Sequence, residues 1–399
     1  MLHNWMNLMK TKDDYLIRLA TPGDALGISL LYHKVYDGKY PDPLMREKAL
    51  LLAFLASPHS LWVVAEKGGE IVCSVVYEVD AANRLGKTFG GAVLRECRGA
   101  GLLERALDFG FKALTLNSEN AVEAVYATTR TATIAPQIVT EKLGYRRLGI
   151  FPNIHRTDAY ETHCLVALFA NGALAKRFTK FLLHPDIAEL YKIVQRECGL
   201  PELALATQPD VQAAAAAVVQ DAEEFPLEII DGHKYVLHRF RGLIDSGQLP
   251  FHFYPFHEPN VMVCSPCDQI QVFLHLATVD KYCTIVGIRK PPSHGTQRLL
   301  EVTSKVLRER GVRYIETIVR ADKLGTIDGI LNAGFVPCAY FPAFQVQDEM
   351  RHDYIVLSKT FEILDFSNIE LAGANKEYLL HYFTKWKERV LDRALRERS

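Results

Sequence analysis

Val93-Leu94-Arg95-Glu96-Cys97-Arg98-Gly99-Ala100-Gly101-Leu102-Leu103 is the stretch on which the fold turns. The run before it is β-compatible. The run after it is amphipathic: Leu103, Leu107, Gly110 and Leu114 share one helical face, and Glu104, Arg105, Asp108 and Lys112 take the other. It therefore reads as a strand-to-helix turn. Glycines at 99 and 101 let the backbone bend sharply and approach a ligand with no Cβ in the way. The first amides of a helix lack intrahelical acceptors and lie at the positive end of its dipole. With an N–H at every position from 98 to 103 and the charge of Arg98, the turn is an anion site suited to a pyrophosphate.

Working outward, residues 15–19 read as a strand, and residues 23–35 and 44–55 as helices. Two β-rich runs around Gly68-Gly69 form a hairpin, and a third strand runs near residues 89–94. After the helix that opens at 101 come a strand at 124–127, a helix over 134–143 stopped by Gly144, and strands at 145–151 and 162–169. The order is β-α-α-β-β-β-α-β-α-β-β. Residues 175–225 read as helical and connective, with an alanine-rich helix over 211–219.

The chain then repeats itself. Arg130, Gly144 and Phe151-Pro152 in the first half correspond to Arg320, Gly334 and Phe341-Pro342 in the second, each at a distance of 190 residues. An amphipathic helix precedes the strand in both copies. Three matches in register argue for a duplication. The second copy's turn is Pro291-Pro292-Ser293-His294-Gly295-Thr296, where proline removes N–H donors and stands in place of Arg98. Arg289 and Lys290 are positioned to restore part of the charge. Near the end, Leu379, Tyr382, Phe383, Trp386 and Val390 form an apolar stripe expected to serve packing.

A length of 399 residues predicts two or three domains, and 49% hydrophobic with 23% charged residues supplies ample core. Lys plus Arg number 46 and Asp plus Glu 47, so a formal charge of −1 argues against a constitutive nucleic-acid scaffold. No apolar run is long enough to span a bilayer, and the first residues lack a secretory pattern. Eight scattered cysteines suit a reducing compartment, so the expected location is the cytoplasm.

Arg98-x-x-Gly101 after a hairpin-rich first half, followed by strand, helix, Gly144-Tyr145 and two strands, resembles the GNAT family of acyl-CoA-dependent N-acyltransferases. The resemblance covers residues 15–170 and, more faintly, 226–362. It implies an α/β (α+β) fold of two fused GNAT-like domains, each a mixed, mostly antiparallel twisted sheet flanked by helices. The expected organisation is an acyl-CoA-binding domain over 1–174, a helical connector over 175–225, a degenerate second domain over 226–362 and a tail helix over 363–399. In that family the turn holds the coenzyme A pyrophosphate through backbone amides. The preceding strand opens away from its neighbour and bonds the pantetheine arm. Carried over by position, Val93, Leu94 and Arg95 form the pantetheine strand, and Arg98, Gly99, Ala100, Gly101, Leu102 and Leu103 the phosphate loop. Leu103 replaces a small residue of the family pattern. The family's coenzyme-contacting asparagine falls at Thr133, and its tyrosine acid at Thr140, two further departures.

The resemblance implies acetyl-CoA or another acyl-CoA as cosubstrate, no metal, and a small-molecule primary amine as acceptor, with neither nucleic acid nor membrane as partner and homodimerisation left as an option. Acyl transfer needs a free amine, an oxyanion contact and a proton donor for the thiolate. Besides Thr140, the candidates are Tyr126 and Thr128 on one strand and Tyr160, Glu161 and His163 near another. The ordinary pKa of His163 best suits proton transfer. The aromatic run 251–257 reads both as a buried strand and as lining for an acceptor. Two decoys fall away. Residues 81–88 fit a relaxed P-loop, but strand follows where that motif requires a helix. Cys264-x-x-Cys267 has no second pair at zinc spacing. An aminoacyl-tRNA-dependent ligase with paired GNAT-like domains and a non-catalytic acyl-CoA sensor are the alternative readings.

Overall fold

The computed structural model describes residues 8–10, 14–38, 40, 42–116, 121–156, 160–216, 225–392 and 395. The first half contains β1 (Leu8–Lys10), β2 (Leu16–Leu19), α1 (Ala25–Tyr36), α2 (Lys48–Leu55), β3 (Ser60–Lys67), β4 (Glu70–Asp80) and β5 (Leu85–Val93). It continues through α3 (Leu102–Thr115), β6 (Ala124–Arg130), α4 (Ala135–Lys142), β7 (Arg146–Arg156) and β8 (Tyr160–Phe169). Helices α5 (Ala188–Cys198) and α6 (Gln208–Ala216) follow; positions 217–219 of the expected alanine-rich helix lie outside the described residues. The remainder comprises β9 (Glu228–Asp231), α7 (His233–Asp245), β10 (Val261–Cys264), β11 (Gln271–Ala277) and β12 (Tyr282–Arg289). After these come α8 (Thr296–Glu309), β13 (Tyr314–Arg320), α9 (Leu324–Asn332), β14 (Val336–Gln347), β15 (Met350–Thr360) and α10 (Asn375–Trp386). Among the described residues no helix is long and apolar enough to cross a membrane.

The chain divides into two compact units. Unit one comprises residues 1–128, 138–146 and 166–175; unit two comprises 129–137, 147–165 and 176–399. In unit one, β1 to β5 pair antiparallel in chain order and β6 joins β5 in parallel. Its core is made by one face of α1 (Ile28, Leu31, Tyr32), by Ala106 and Leu107 of α3, and by the Val63–Ala65 and Val75–Tyr77 segments. In unit two the strands run β8-β7-β14-β15-β13-β12-β11-β10-β9. A core there gathers Val236, Phe240, Met262, Phe273 and Val286 between α7 and the sheet.

The strand order β3-β4-β5-β6-β8-β7 recurs as β10-β11-β12-β13-β15-β14. The agreement extends to register. Ala124, Val125 and Tyr126 of β6 pair with Leu85, Gly86 and Lys87. Tyr314, Ile315 and Glu316 of β13, each 190 residues later, pair with Tyr282, Cys283 and Thr284. It extends to backbone conformation as well. Gly144 and Gly334 have φ of 86° and 84° at the ends of α4 and α9. Asn153 and Ala343, one residue past the Phe-Pro pairs, have φ of 56° and 55°. Asparagine tolerates that region and alanine rarely does. The Ala343 kink is secured by its amide, which donates to the Asp353 carboxylate at 2.8 Å.

Candidate functional site

The site begins with a fault in β5. Its pairing with β4 runs Cys73↔Val93 and Ser74↔Ala92, then jumps to Val76↔Phe89, so Gly90 and Gly91 together oppose Val75. This is a β-bulge, which bends the strand and increases its twist. Gly90 has φ of 66°, and a Cβ there would lie 2.8 Å from the Met45 methyl and 2.9 Å from the Tyr32 hydroxyl. That hydroxyl donates to the Gly90 carbonyl and lies 3.2 Å from Ser74 Oγ, which also accepts from Trp62 Nε1 at 2.7 Å. On the other edge, the parallel pairing of β5 with β6 stops at Lys87↔Tyr126. The two strands therefore separate over the last six residues of β5, leaving an open edge on the approach to the turn.

The turn itself is built in two steps. Leu94 still donates to Val72 O at 2.9 Å, and Arg95 then opens a 3₁₀ turn that runs to Cys97. Arg95 thus leaves the strand to which the family pattern assigned it; Val93 ends the paired strand, and Leu94 keeps only its bond to Val72 O. The Arg98 amide closes the 3₁₀ turn on Arg95 O at 3.3 Å, so it is not among the donors the sequence offered. Among the described residues, the amides of 99–103 make no hydrogen bond. Gly99 and Gly101 have φ of 86° and 68°, and nothing lies within 4 Å of where a Cβ would stand. Backbone conformation, rather than crowding, requires glycine here. Arg95 and Arg98 are exposed. Leu103 does not obstruct the turn: its Cδ1 lies 3.1 Å from the Cβ position of Gly91, so it packs over the bulge.

Tyr77 fixes the direction of α3. A Cβ on Gly110 would fall 2.2 Å from the Tyr77 ring, and the Tyr77 hydroxyl donates to Leu107 O at 2.7 Å. The helix start therefore lies beside the open edge of β5 because a buried tyrosine of β4 holds its middle turn.

Also in unit one is a cavity of about 370 Å³ lined by Leu30, Tyr32, His33, Tyr40, Met45 and Arg46. Tyr32, Tyr36 and Tyr40 form a ring cluster with centroids 4.7 to 6.2 Å apart, and Tyr36 donates to Gly91 O at 3.3 Å. This cavity therefore abuts the bulge. Sequence reasoning missed it, although tyrosines at 32, 36 and 40 repeat at helical spacing.

Tyr126 and Thr140 are both buried in unit one, at 8% and 6% exposure. Thr140 lies on α4, where its carbonyl accepts from Tyr145. Thr133, His163, Tyr160 and Glu161 belong to unit two. Thr133 is exposed and precedes α4 rather than lying on it. Tyr160 donates to Glu362 at 2.5 Å. His163 Nε2 is 3.5 Å from Glu161, whose carboxylate is gripped by Arg130 Nε at 2.8 Å. Burial opposes ionisation of Glu161, but Arg130 and His163 outweigh it and hold the carboxyl at about 2. At 3.5 Å the His163 contact is a weak hydrogen bond at best, so Arg130 is the firmer cause. Burial pushes His163 below its ordinary value against the pull of Glu161, which leaves it neutral at pH 7.

The second copy's turn is closed on itself. Pro291 and Pro292 have no N–H, the His294 amide donates to Pro291 O at 3.1 Å, and Lys290 is hydrogen-bonded to His294 O. Arg289 donates to Asp268 O at 2.9 Å. Both cations keep their charge but are hydrogen-bonded to backbone carbonyls. The aromatic run 251–257 is irregular rather than a strand: Phe251 makes one bridge to Ile288, and Phe253 packs on Phe344 and Tyr354. Cys264 and Cys267 are free thiols, and among the described residues no cluster of three or more metal-ligating side chains occurs.

No family model matches the chain, and no curated protein matches it. Among solved structures it is similar to the ribosomal-protein-S18-alanine N-acetyltransferase from Escherichia coli, at 17% identity and TM-score 0.34 over 39% of this chain and 93% of that one. An acetyltransferase of the GNAT family from Streptococcus pneumoniae gives 18% identity and TM-score 0.35 over 39% and 100%. The ribosomal-protein-S5-alanine acetyltransferase from Vibrio fischeri gives 18% and 0.34 over 41% and 96%. The likeness to GNAT acetyltransferases thus extends over about two-fifths of this chain.

Proposed function

We propose that this chain is an acyl-CoA-dependent N-acyltransferase, with acetyl-CoA the expected donor and the primary amine of a small metabolite or amino acid as acceptor. One observation carries the reading: the five unpartnered amides of residues 99–103 stand at the start of α3, beside the edge of β5 that has parted from β6. Backbone amides at a helix start suit a pyrophosphate, and an open strand edge suits the amide groups of a pantetheine arm. Arg98 and Arg95 add charge at the mouth. The tyrosine-lined cavity against Gly90 and Gly91 is the place for the acceptor in this reading.

In the reaction the amine nitrogen attacks the thioester carbonyl, the C–N bond forms, the C–S bond breaks, the nitrogen gives up one proton and the thiolate takes one up. The amine must be neutral to attack. Of the residues considered for proton transfer, Tyr126 and Thr140 lie in the same unit as the turn, and His163 lies in the other unit. The matched registers and φ values support a duplication, and the proline turn of the second copy should hold coenzyme A at least about tenfold more weakly.

Calorimetry with coenzyme A tests the site. Arg98→Glu should weaken binding by about 1–3 kcal/mol, the scale of a charge-assisted contact reversed beside a phosphate. Absence of binding by the unaltered protein would overturn the proposal. Thr140 in the acid position favours a second reading, a sensor that binds acyl-CoA without turning it over. Saturable binding with no thiol release across a panel of amines would select it.

A further inference from the structure

We infer that unit two carries a separate ligand site for a small organic anion with a flat apolar body. The site is the cavity of about 640 Å³ between α8, the end of β15 and α10. It lies in a different unit from the phosphate turn, and the inference does not depend on the acyl-transfer reading.

The apolar stripe of α10 splits in the structure. Tyr378 and Tyr382 are buried, but Phe383 is 46% exposed and stacks with Trp386 at 6.1 Å and 21° on the side that faces the cavity. Phe361 contributes a third ring. A stacked pair of large aromatics lining an open cavity is a platform for a planar group.

Charge defines the other half of the ligand. Lys305 and Arg308, one turn apart on α8, and Lys359 at the end of β15 all line the cavity. Arg308 lies 5.6 Å from the centroid of the Phe361 ring. The two carboxylates in the lining have cations of their own: Glu301 has Arg298 at 3.8 Å, and Glu362 has Arg313 at 3.3 Å together with the Tyr160 hydroxyl. Among the described residues no carboxylate lies within ion-pair distance of Lys305 or Arg308. Their charge is left for something that enters.

A third, independent feature points the same way. Ser304, one residue before Lys305, is 3% exposed and lines the cavity, and its Oγ has no hydrogen-bond partner. Buried hydroxyls are normally satisfied, so an acceptor atom is called for on that side. Cations, a polar donor and an aromatic platform together select a carboxylate, sulfonate or phosphate on a planar apolar skeleton. The volume suits a ligand of drug-like size.

The test uses the full chain and 8-anilinonaphthalene-1-sulfonate, with its neutral counterpart N-phenyl-1-naphthylamine as control. The anionic probe should bind one equivalent saturably, quench Trp386 emission, and bind at least ten times more tightly than the neutral one. The double variant Lys305→Glu, Arg308→Glu changes only exposed side chains and should keep its melting temperature while losing at least tenfold in probe affinity. Trp386→Ala should lose a similar factor. Equal affinity for the two probes, or binding that ignores these substitutions, overturns the site. So does a dimer in sedimentation velocity that Trp386→Ala dissociates and that takes up no probe, because the face would then be a subunit contact.

Discussion

Gly149 of β7 faces Ala339 of β14, and the two residues are 190 positions apart, the same distance that separates every matched pair in the repeat. Each is thus paired with its own counterpart, and the antiparallel strand pair has a local two-fold axis passing between them. The approach is close. A Cβ on Gly149 would stand 2.3 Å from the Ala339 Cβ and 2.4 Å from the Cys338 carbonyl oxygen.

Gly149→Val should therefore destabilise the protein by at least about 3 kcal/mol, because backbone on the facing strand must move. Urea denaturation followed by circular dichroism measures it. A loss under 1 kcal/mol would mean the two strands do not meet in this register.

Coenzyme A should saturate near one equivalent per chain. The first turn presents five free amides, whereas the second has two prolines and spends His294's amide and Lys290's ammonium on its own backbone. A missing donor beside a phosphate costs about 1–3 kcal/mol, so affinity at the second turn should be at least about tenfold lower. Two equivalents of similar affinity in calorimetry would contradict this.

Asp353→Asn should cost about 3–5 kcal/mol, the scale for breaking a buried ion pair on one side. Asp353 accepts from Arg177 Nε at 2.9 Å, from the Tyr340 hydroxyl at 2.6 Å and from the Ala343 amide. Arg177 is 4% exposed and would keep its charge with no opposite charge beside it. The expected result is a lower denaturation midpoint at unchanged m-value.

Acid sensitivity should trace in part to His381. Burial, aided by the nearby Lys385 cation, lowers its pKa to about 4. The unfolded chain binds the proton near 6.5 and the folded chain only near 4, so this stability is complete above 6.5 and is lost as pH falls towards 4. The contribution is about 2–3 kcal/mol. His381→Leu should flatten the stability curve across that window; a curve parallel to the unaltered protein's would refute the assignment.

The strand-to-helix turn was legible because its signals are local: glycines needed for positive φ, an arginine, and an amphipathic helix start fall within eleven consecutive residues. The matching helix ends were legible for a similar reason, since Gly144 and Gly334 both stop helices in the left-handed region. Other features needed the third dimension. Gly90-Gly91 inside an apolar run is a bulge signal, yet the expected strand began near 89, and the structure extends it back to Leu85, through the end of the P-loop decoy. Arg98's amide looked free because a 3₁₀ turn closing on Arg95 leaves no mark on composition. Glu161 stands two residues before His163 on β8, a spacing that puts both on one face of the strand, but Arg130 comes from β6 and His155, whose ring is 4.9 Å away, from β7. No spacing rule joins Arg130 and His155 to them. The 251–257 run has strand composition, but only Phe251 finds a partner edge.

The meeting of β7 with β14 also sets a timetable. A ribosome adds about 5–20 residues per second, so roughly 10–40 s pass between the synthesis of Gly149 and that of Ala339. For that interval β7 has one hydrogen-bonding edge whose native partner does not yet exist, and an uncovered strand edge is a template for pairing with other chains. The nascent polypeptide therefore needs slow local concentration, a chaperone, or quick elongation through the second half.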